Sequence, residues 1–503
     1  MPNFSRRTFL AGAASLALAS RRSFAARSDL EPIYAEIKKR HQEAIERIQR
    51  WIHQPTIAAE NVGGEEGVKL AMDLYGEAGF TNVTRIPTDG KPGIFAVYDA
   101  GAPRTVGLYF MYDVKQADAS EWKLGDPWKA SIVQKPGMGK CIIGRGAVNQ
   151  KGPEAAFLAA LHAIRGAGKK PPVNFVLVAE GEEEIGSPHF PQVVRAPQVM
   201  QALGKCMGIF MPSAGQAIDG TTDVTLGAKG VIEAQIISSG EKWGRGPSKD
   251  VHSSLRAMLD SPAFHLVQAL GTLVTPDGVD PAIDGWFERV KPLSAAEKKM
   301  VADVVAHGNE QQMKDQFGVK HWERDVPFEQ AMERLCGWPT VNIEGLVGGY
   351  TGQGGKTVLP HQAVAKMDFR LVPDMTVDDC LHKLRAHLDK RGFNDVEVVM
   401  TGGYDPNTTA PDAALIRAQE QTYRRAGQNP LLWPRGGGSW PGYVFTDAPL
   451  KLAAGHFGLG HGSGAHAPDE YFLVESENPK LFGLDDMVKS FVDYLHDLAA
   501  IRS

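Results

Sequence analysis

The densest chemistry in the chain lies in one octet, Glu180-Gly-Glu-Glu-Glu-Ile-Gly-Ser187. Its three successive acids, Glu182, Glu183 and Glu184, follow a run apolar enough to be a buried strand. Carboxylates so close cannot all stay ionised without a cation, a proton or open solvent. Taken alone, such a cluster reads as a solvated acidic loop. Five further blocks change that reading. Gly144-Arg-Gly-Ala-Val-Asn-Gln-Lys-Gly-Pro153 combines glycines with two amides and two cations. Ala465-His-Ala-Pro-Asp-Glu-Tyr471 sets an imidazole beside two acids. Lys249-Asp-Val-His-Ser253 supplies another imidazole, Phe369-Arg-Leu-Val-Pro373 a guanidinium, and Arg435-Gly-Gly-Gly-Ser-Trp-Pro441 a glycine-rich loop.

Elements that could position these blocks are legible around them. Residues 30–53 are polar but carry Ile33, Ile37, Ile45 and Ile48 in roughly helical register. Residues 64–79 predict a helix that ends at a glycine cap. Strand-like apolar runs occupy 93–98, 105–110 and 173–179, and an Ala-rich helix is predicted over 153–167. Strands alternating with helices predict an α/β sheet with parallel strands. From about Thr222 the texture changes. Alternating strands at 231–237 and 362–371 surround predicted helices over 254–273 and 377–391, which reads as a separate α+β module. The segment 277–338 is polar and helical in flavour without a clear place. After about Gly403 the α/β texture returns through Ile501.

Composition bounds the remaining classes. A chain of 503 residues is too long for one ordinary core and predicts two or more domains. Apolar residues at 43% and charged residues at 22% are globular values. Residues 5–10, Ser-Arg-Arg-Thr-Phe-Leu, precede the apolar run 11–19 and small residues at Ser23, Ala25 and Ala26. That pattern is a twin-arginine export signal over residues 1–26 and predicts a periplasmic protein. Residues 1–26 hold four Arg and no acid, so their removal takes the net charge from −5 to −9. No overall positive field is left for nucleic acid or anionic lipid. The run 11–19 is too short to span a bilayer, and no membrane partner is expected. Four scattered cysteines form no CxxC pair and no disulfide framework.

In this order, the blocks resemble the dinuclear-zinc exopeptidases and aminoacylases. That group includes carnosinase-type dipeptidases, carboxypeptidase G, and the succinyl-diaminopimelate and acetylornithine deacylases. The carnosinase-type branch is the most similar, through the blocks above and Gly-Gly-Lys-Thr-Val-Leu-Pro at 354–360. The resemblance covers roughly residues 31–503. It implies an α/β fold: a zinc-exopeptidase-like catalytic domain, with a mixed and mostly parallel sheet between helices, interrupted by a smaller α+β lid that can dimerise. The boundaries it suggests are 27–221 and 404–503 for the catalytic part and 222–403 for the lid.

The resemblance also implies a ligand set, and the chain departs from it. The first ligand should be the His of a His-Tyr-Asp-Val motif, where this chain has Met111-Tyr112-Asp113-Val114. The bridging Asp falls on Asn149, and the carboxylate that ends the strand before the lid falls on Pro212. Glu184 and His466 keep ligand types, and Glu183 keeps the general-base position. A thioether suits Zn²⁺ poorly among oxygen and nitrogen donors, a neutral amide cannot bridge two dications, and proline has no donor. The expected cofactor is therefore none, or one divalent metal such as zinc, rather than the normal two-zinc centre. His461 and His189 lie near the motifs, as substitutes or as packing and surface residues.

Substrate-binding features look retained. Arg370 with Gly437, Gly438 and Ser439 resembles the family's carboxylate clamp, for which a planar guanidinium and backbone N–H groups are suited. His252 resembles the lid histidine that reaches a neighbouring active site and stabilises an oxyanion. Asp113, without its His neighbour, is expected to face Glu183, a pairing that splits their titrations and supports acid/base chemistry without metal. The expected function is hydrolysis of an amide bond in a small dipeptide-like or N-acyl amino-acid substrate with a free carboxylate. Two alternatives stay open: a metal-independent lyase or isomerase started by Glu183, and a catalytically dead carboxylate-binding protein.

Overall fold

The computed structural model describes residues 29–501. The export signal read at residues 1–26 lies outside the described residues. Among those described, no helix is long and apolar enough to cross a membrane.

The run 30–53 folds as two helices rather than one, 29–39 and His41–Ile52, parted at Arg40. The second buries Ile45, Ile48, Trp51 and Ile52 as its register requires. The helix Gly64–Ala78 ends at Gly79, whose φ of +104° no side-chain-bearing residue adopts cheaply.

The main sheet has six strands in the order Thr81–Ile86, Gly93–Tyr98, Asn174–Glu180, Thr105–Met111, Cys206–Pro212, Ala454–Phe457. Its first two pairings are antiparallel and its last three are parallel. Thr105–Met111 has parallel neighbours on both sides and is buried along almost its whole length. That explains its uninterrupted apolar sequence, since parallel strands are covered on both faces. The Ala-rich helix runs over Lys151–Gly166 and is buried nearly all round. Its Phe157 meets Phe110, Phe175, Phe210 and Phe491 edge-on, at 5.4–6.1 Å between ring centres. Three of the parallel strands end on the residues flagged by sequence: Met111, Glu180 and Pro212. Met111 lies opposite Glu180 in register. Open α/β sheets bind ligands outside these carboxyl ends.

A second, antiparallel sheet of four strands is drawn entirely from 230–404, in the order Thr340–Gly348, Gln362–Leu371, Gly230–Ser239, Glu397–Tyr404. It has its own core, with Ile232, Ile236, Phe369 and Leu384. The predicted helix over 254–273 is shorter than expected. A 3₁₀ turn at Ser253–Ala257 precedes a helix that begins only at Pro262, capped by Ser261. Proline pushes the residue before it out of helical conformation, which sets that boundary. The unplaced segment 277–338 forms helices Ala295–His307, Glu310–Phe317 and Phe328–Gly337. They bury Val301, Met332 and Cys336 against Trp433 of the returning α/β part.

A third sheet brings the C-terminal strand Tyr471–Ser476 beside Gly139–Ile143. This pairing delivers Glu470, fully buried, to the loop ahead of the Ala-rich helix. Its carboxylate accepts from Arg145 Nη1 at 2.8 Å and from the backbone N–H groups of Gly146, Val148 and Asn149 at 2.9–3.1 Å. Glu470→Ala would strand a buried guanidinium and three amides. The expected loss is about 3–5 kcal/mol of stability, measured by urea unfolding.

Candidate active site

At the carboxyl ends of the parallel strands lies a cavity of about 290 Å³. Met111, Asn149, Glu183, Asn407, Ser439 and His456 are among its lining residues. The acidic octet enters it through a tight turn. Glu180, the last strand residue, is buried and accepts from Tyr109 Oη at 2.9 Å and Ser187 Oγ at 2.7 Å. A Cβ on Gly181 would strike the Tyr112 ring at 2.1 Å, so only glycine passes there. Glu183–Ile185 then form one 3₁₀ turn.

Asp113 secures that turn. It is fully buried, and its two oxygens accept the backbone N–H groups of Glu183 and Glu184 at 3.3 and 3.1 Å. Asp113 is not part of the cavity wall, and it holds the turn through these amide contacts while its charge also acts on the Glu183 carboxyl. Its bonds to the amides hold Glu183 in place from behind. Burial, then the charge of Glu184, pushes the Asp113 carboxyl up to about 8. Burial, then Glu184 and Asp113, likewise lifts Glu183 well above the ordinary carboxylate range.

Glu184 is buried among three donors. Asn149 Nδ2 donates to one oxygen at 2.6 Å. His466 Nε2 lies 3.1 Å from the other, and Lys115 Nζ lies 3.6 Å from it. Lys115 also donates to the Glu184 carbonyl. Asn149 Nδ2 lies 3.0 Å from His466 Nε2, so the amide sits between the imidazole and the carboxylate. His466 is half exposed and has φ of +64°, a left-handed conformation uncommon outside glycine. Met111 lines the cavity, and its N–H donates to Glu154 Oε1 at 2.8 Å. Pro212 ends its strand opposite Phe457. Among the described residues, no group of three or more His, Cys, Asp or Glu is placed to hold a metal ion.

The expected clamp is split by the loop it was drawn from. Gly438 and Ser439 line the cavity together with Gly436. Gly437 instead faces a second cavity across the loop, which Arg370 also lines. Arg370 reaches the first site through Nη1, which donates to Ser439 Oγ at 3.1 Å, while its Nε donates to Asp368 at 2.8 Å. His252 is exposed, holds Ser254 Oγ at 2.8 Å and Thr357 Oγ1 at 3.0 Å, and does not line its own chain's cavity. His461 is a packing residue between Gln216 O and Tyr471 Oη, both at 2.9 Å. His189 pairs with Glu182 at 2.8 Å.

The structure adds residues that the sequence did not single out. Asn407 is 2% exposed, lines the cavity, and has neither Nδ2 nor Oδ1 partnered. Gln150 Oε1, in the same wall, is also unpartnered. His456 lies 4.6 Å from the Trp440 ring, and burial pushes its imidazole down to about 4, so it is neutral. Asn407 falls in Asp405-Pro-Asn-Thr-Thr-Ala-Pro411, which reads only as a polar loop; no periodicity marks it.

The fold and site define a two-module α/β protein with its candidate chemistry at parallel strand ends and an antiparallel module interrupting it. Residues 108–481 match the model of Peptidase family M20/M25/M40, and the chain belongs to that family. It is 26% identical to the Cys-Gly metallodipeptidase dug1 of Schizosaccharomyces pombe, over 94% of this chain and 99% of that one. It is 27% identical to the Beta-Ala-His dipeptidase of Homo sapiens, over 60% of this chain and 58% of the relative. In structure it is similar to the M20 family metallo-carboxypeptidase Sso-CP2 from Sulfolobus solfataricus. There the TM-score is 0.81 at 27% identity, covering 91% of this chain and 100% of the other.

A buried amide without partners is destabilising in the free protein unless something binds it. Asn407→Leu removes that cost with the same side-chain branching. The expected outcome is a gain of about 1 kcal/mol in urea unfolding together with loss of turnover.

Proposed function

We propose that the chain hydrolyses one amide bond in a small dipeptide-like or N-acyl amino-acid substrate with a free carboxylate. In this reading it works with no metal or with one weakly held ion. Membership of a peptidase family supports the reaction class. The names of the relatives, a Cys-Gly and a Beta-Ala-His dipeptidase, support the substrate class. The export pattern at residues 5–26 supports a periplasmic site of action.

One observation carries the metal part of the reading. The Glu184 carboxylate is already satisfied by Asn149, His466 and Lys115. A bridging site needs an anionic oxygen where Asn149 instead points an N–H donor. Met111 and Pro212 offer no hard donor at the other two positions. This donor set does not fit a two-zinc centre. The Lys115 ammonium supplies a fixed positive charge beside Glu184, where the family resemblance places a metal. Glu183 accepts the proton of an attacking water, and Asn407 with the Gly438–Ser439 loop offers donors to the polarised carbonyl.

Glu183→Gln should lower turnover of a cleaved dipeptide by about 10²–10⁴-fold, while a chelator leaves the parent enzyme unchanged. Elemental mass spectrometry of the protein after zinc exposure and desalting should find far less than one metal per chain. One or two tightly held zinc ions, with activity lost to chelator, would overturn the metal-free reading and leave the peptidase reading standing.

The lid supports a dimer. Its edge strand Thr340–Gly348 exposes Ile343, Leu346 and Val347, and the helix Pro262–Gly271 exposes Phe264 and Val267. Such an edge invites pairing with a second copy. His252 then serves the partner's cavity rather than its own. Mixing inactive Glu183→Gln with inactive His252→Ala, unfolded and refolded together, should restore about a quarter of the parent activity through mixed dimers with one intact site. No recovery, with mixed dimers formed, would overturn the assignment of His252 to the partner's cavity.

A further inference from the structure

Across the loop 435–439 from the reaction cavity lies a second chamber of about 390 Å³. Gly437 forms part of its wall, while Gly436, Gly438 and Ser439 face the first cavity, so one loop separates the two. Most of the other walls come from the segment 277–338, which sequence patterning could not place. Phe317, Trp322, Leu335 and Trp338 make them apolar and aromatic. Phe317 is 61% exposed and Leu335 is 45% exposed, so both stand at an open mouth rather than in a core.

Lys229 is also part of this chamber's wall. Its side chain is buried, and Nζ donates to the carbonyl of Trp338. Among the described residues it makes no ion pair. Besides burial, the groups that act on it are the Cys336 thiol and then three cations, Arg370, Arg435 and Arg334. Each of those has a carboxylate of its own. Arg370 has Asp368, Arg435 has Glu297, and Arg334 has Asp280 and Glu323. Lys229 therefore has no carboxylate of its own at the edge of an apolar space with access to solvent, and the carboxylate in the chamber wall, Glu323, is paired with Arg334. A buried ammonium in that setting is costly until an anion reaches it.

We propose that this chamber binds a small aryl- or alkyl-carboxylate, with the carboxylate on Lys229 and the apolar tail among Phe317, Trp322 and Trp338. Aromatic walls give such a tail a large contact area, and the single charge fixes its direction. Arg370 lines this chamber and also donates to Ser439 in the first cavity, so an occupant here is coupled to the reaction site. On the hydrolase reading, the chamber selects substrates or products whose carboxylate-bearing half is apolar. That role rests on the proposed function; binding does not, because it is measured without turnover.

The test is titration of the full-length mature protein with 4-phenylbutanoate, followed by calorimetry and by the emission of the two chamber tryptophans. Saturable binding is expected, and 4-phenylbutan-1-ol should bind at least about tenfold more weakly for want of the charge. Lys229→Met should weaken the acid by about tenfold or more. Phe317→Asp, at an exposed position that leaves the fold intact, should weaken it similarly. Glu183→Gln should bind the acid as the parent does. Equal affinity for acid and alcohol, retention of binding in both chamber variants, or no saturation at millimolar concentration would overturn the inference. If dipeptides are cleaved but the acid does not bind, only the chamber falls. If the acid binds but no amide is cleaved, only the hydrolase reading falls.

Discussion

The site depends first on the buried carboxylate of Glu470. It arrives from the far end of the chain and ties down a loop that has no secondary structure of its own. Three backbone amides and Arg145 converge on it. A loop in that position would otherwise bury unsatisfied N–H groups beside the core helix. With Glu470 in place, Asn149 is delivered to one side of the cavity while the helix Lys151–Gly166 starts directly behind it. Asp113 does the same for the opposite wall by holding the Glu183–Ile185 turn through its amides. Two buried acids thus organise backbone so that a third, Glu183, can face the cavity.

The neighbouring cluster is held together by its own donors. Glu184 is buried, and an amide stands beside it at Asn149. Lys115 and His466 flank the carboxylate, and Asn149 donates between them. Met111 and Met211 make the adjoining cavity wall apolar. The result is a compact, hydrogen-bonded group. The unpartnered polar atoms are instead those of Asn407 and Gln150, on the same cavity.

The insertion 277–338 links the antiparallel module to the α/β unit. Its helices pack Met332 and Cys336 against Trp433, and Arg435 pairs with Glu297 while donating to the Cys336 carbonyl. The loop that carries Ser439 is therefore held from the lid side. This arrangement makes that loop a partition, with a polar reaction cavity on one face and an aromatic chamber on the other.

The local elements were largely legible in the sequence because they depend on short-range rules. Apolar runs made the buried strands, the Gly79 cap ended its helix, and the ordered blocks identified the family and the acidic turn. Met111, Asn149 and Pro212 could be read by residue type alone as departures from the ligand set that the resemblance implies. The tertiary structure decided which groups meet. It made Asp113 an anchor for the Glu183 amide as well as a charge acting on the Glu183 carboxyl. It moved Gly437 and Arg370 to the other side of a loop, kept His252 out of its own cavity, and assigned His461 to packing. It also brought forward Lys115, Asn407 and Lys229, which lie in no distinctive pattern. Residue type and spacing record what a side chain can do. Whether a charge is paired or an amide is left without a partner depends on contacts between segments hundreds of residues apart, and only the folded chain makes those contacts.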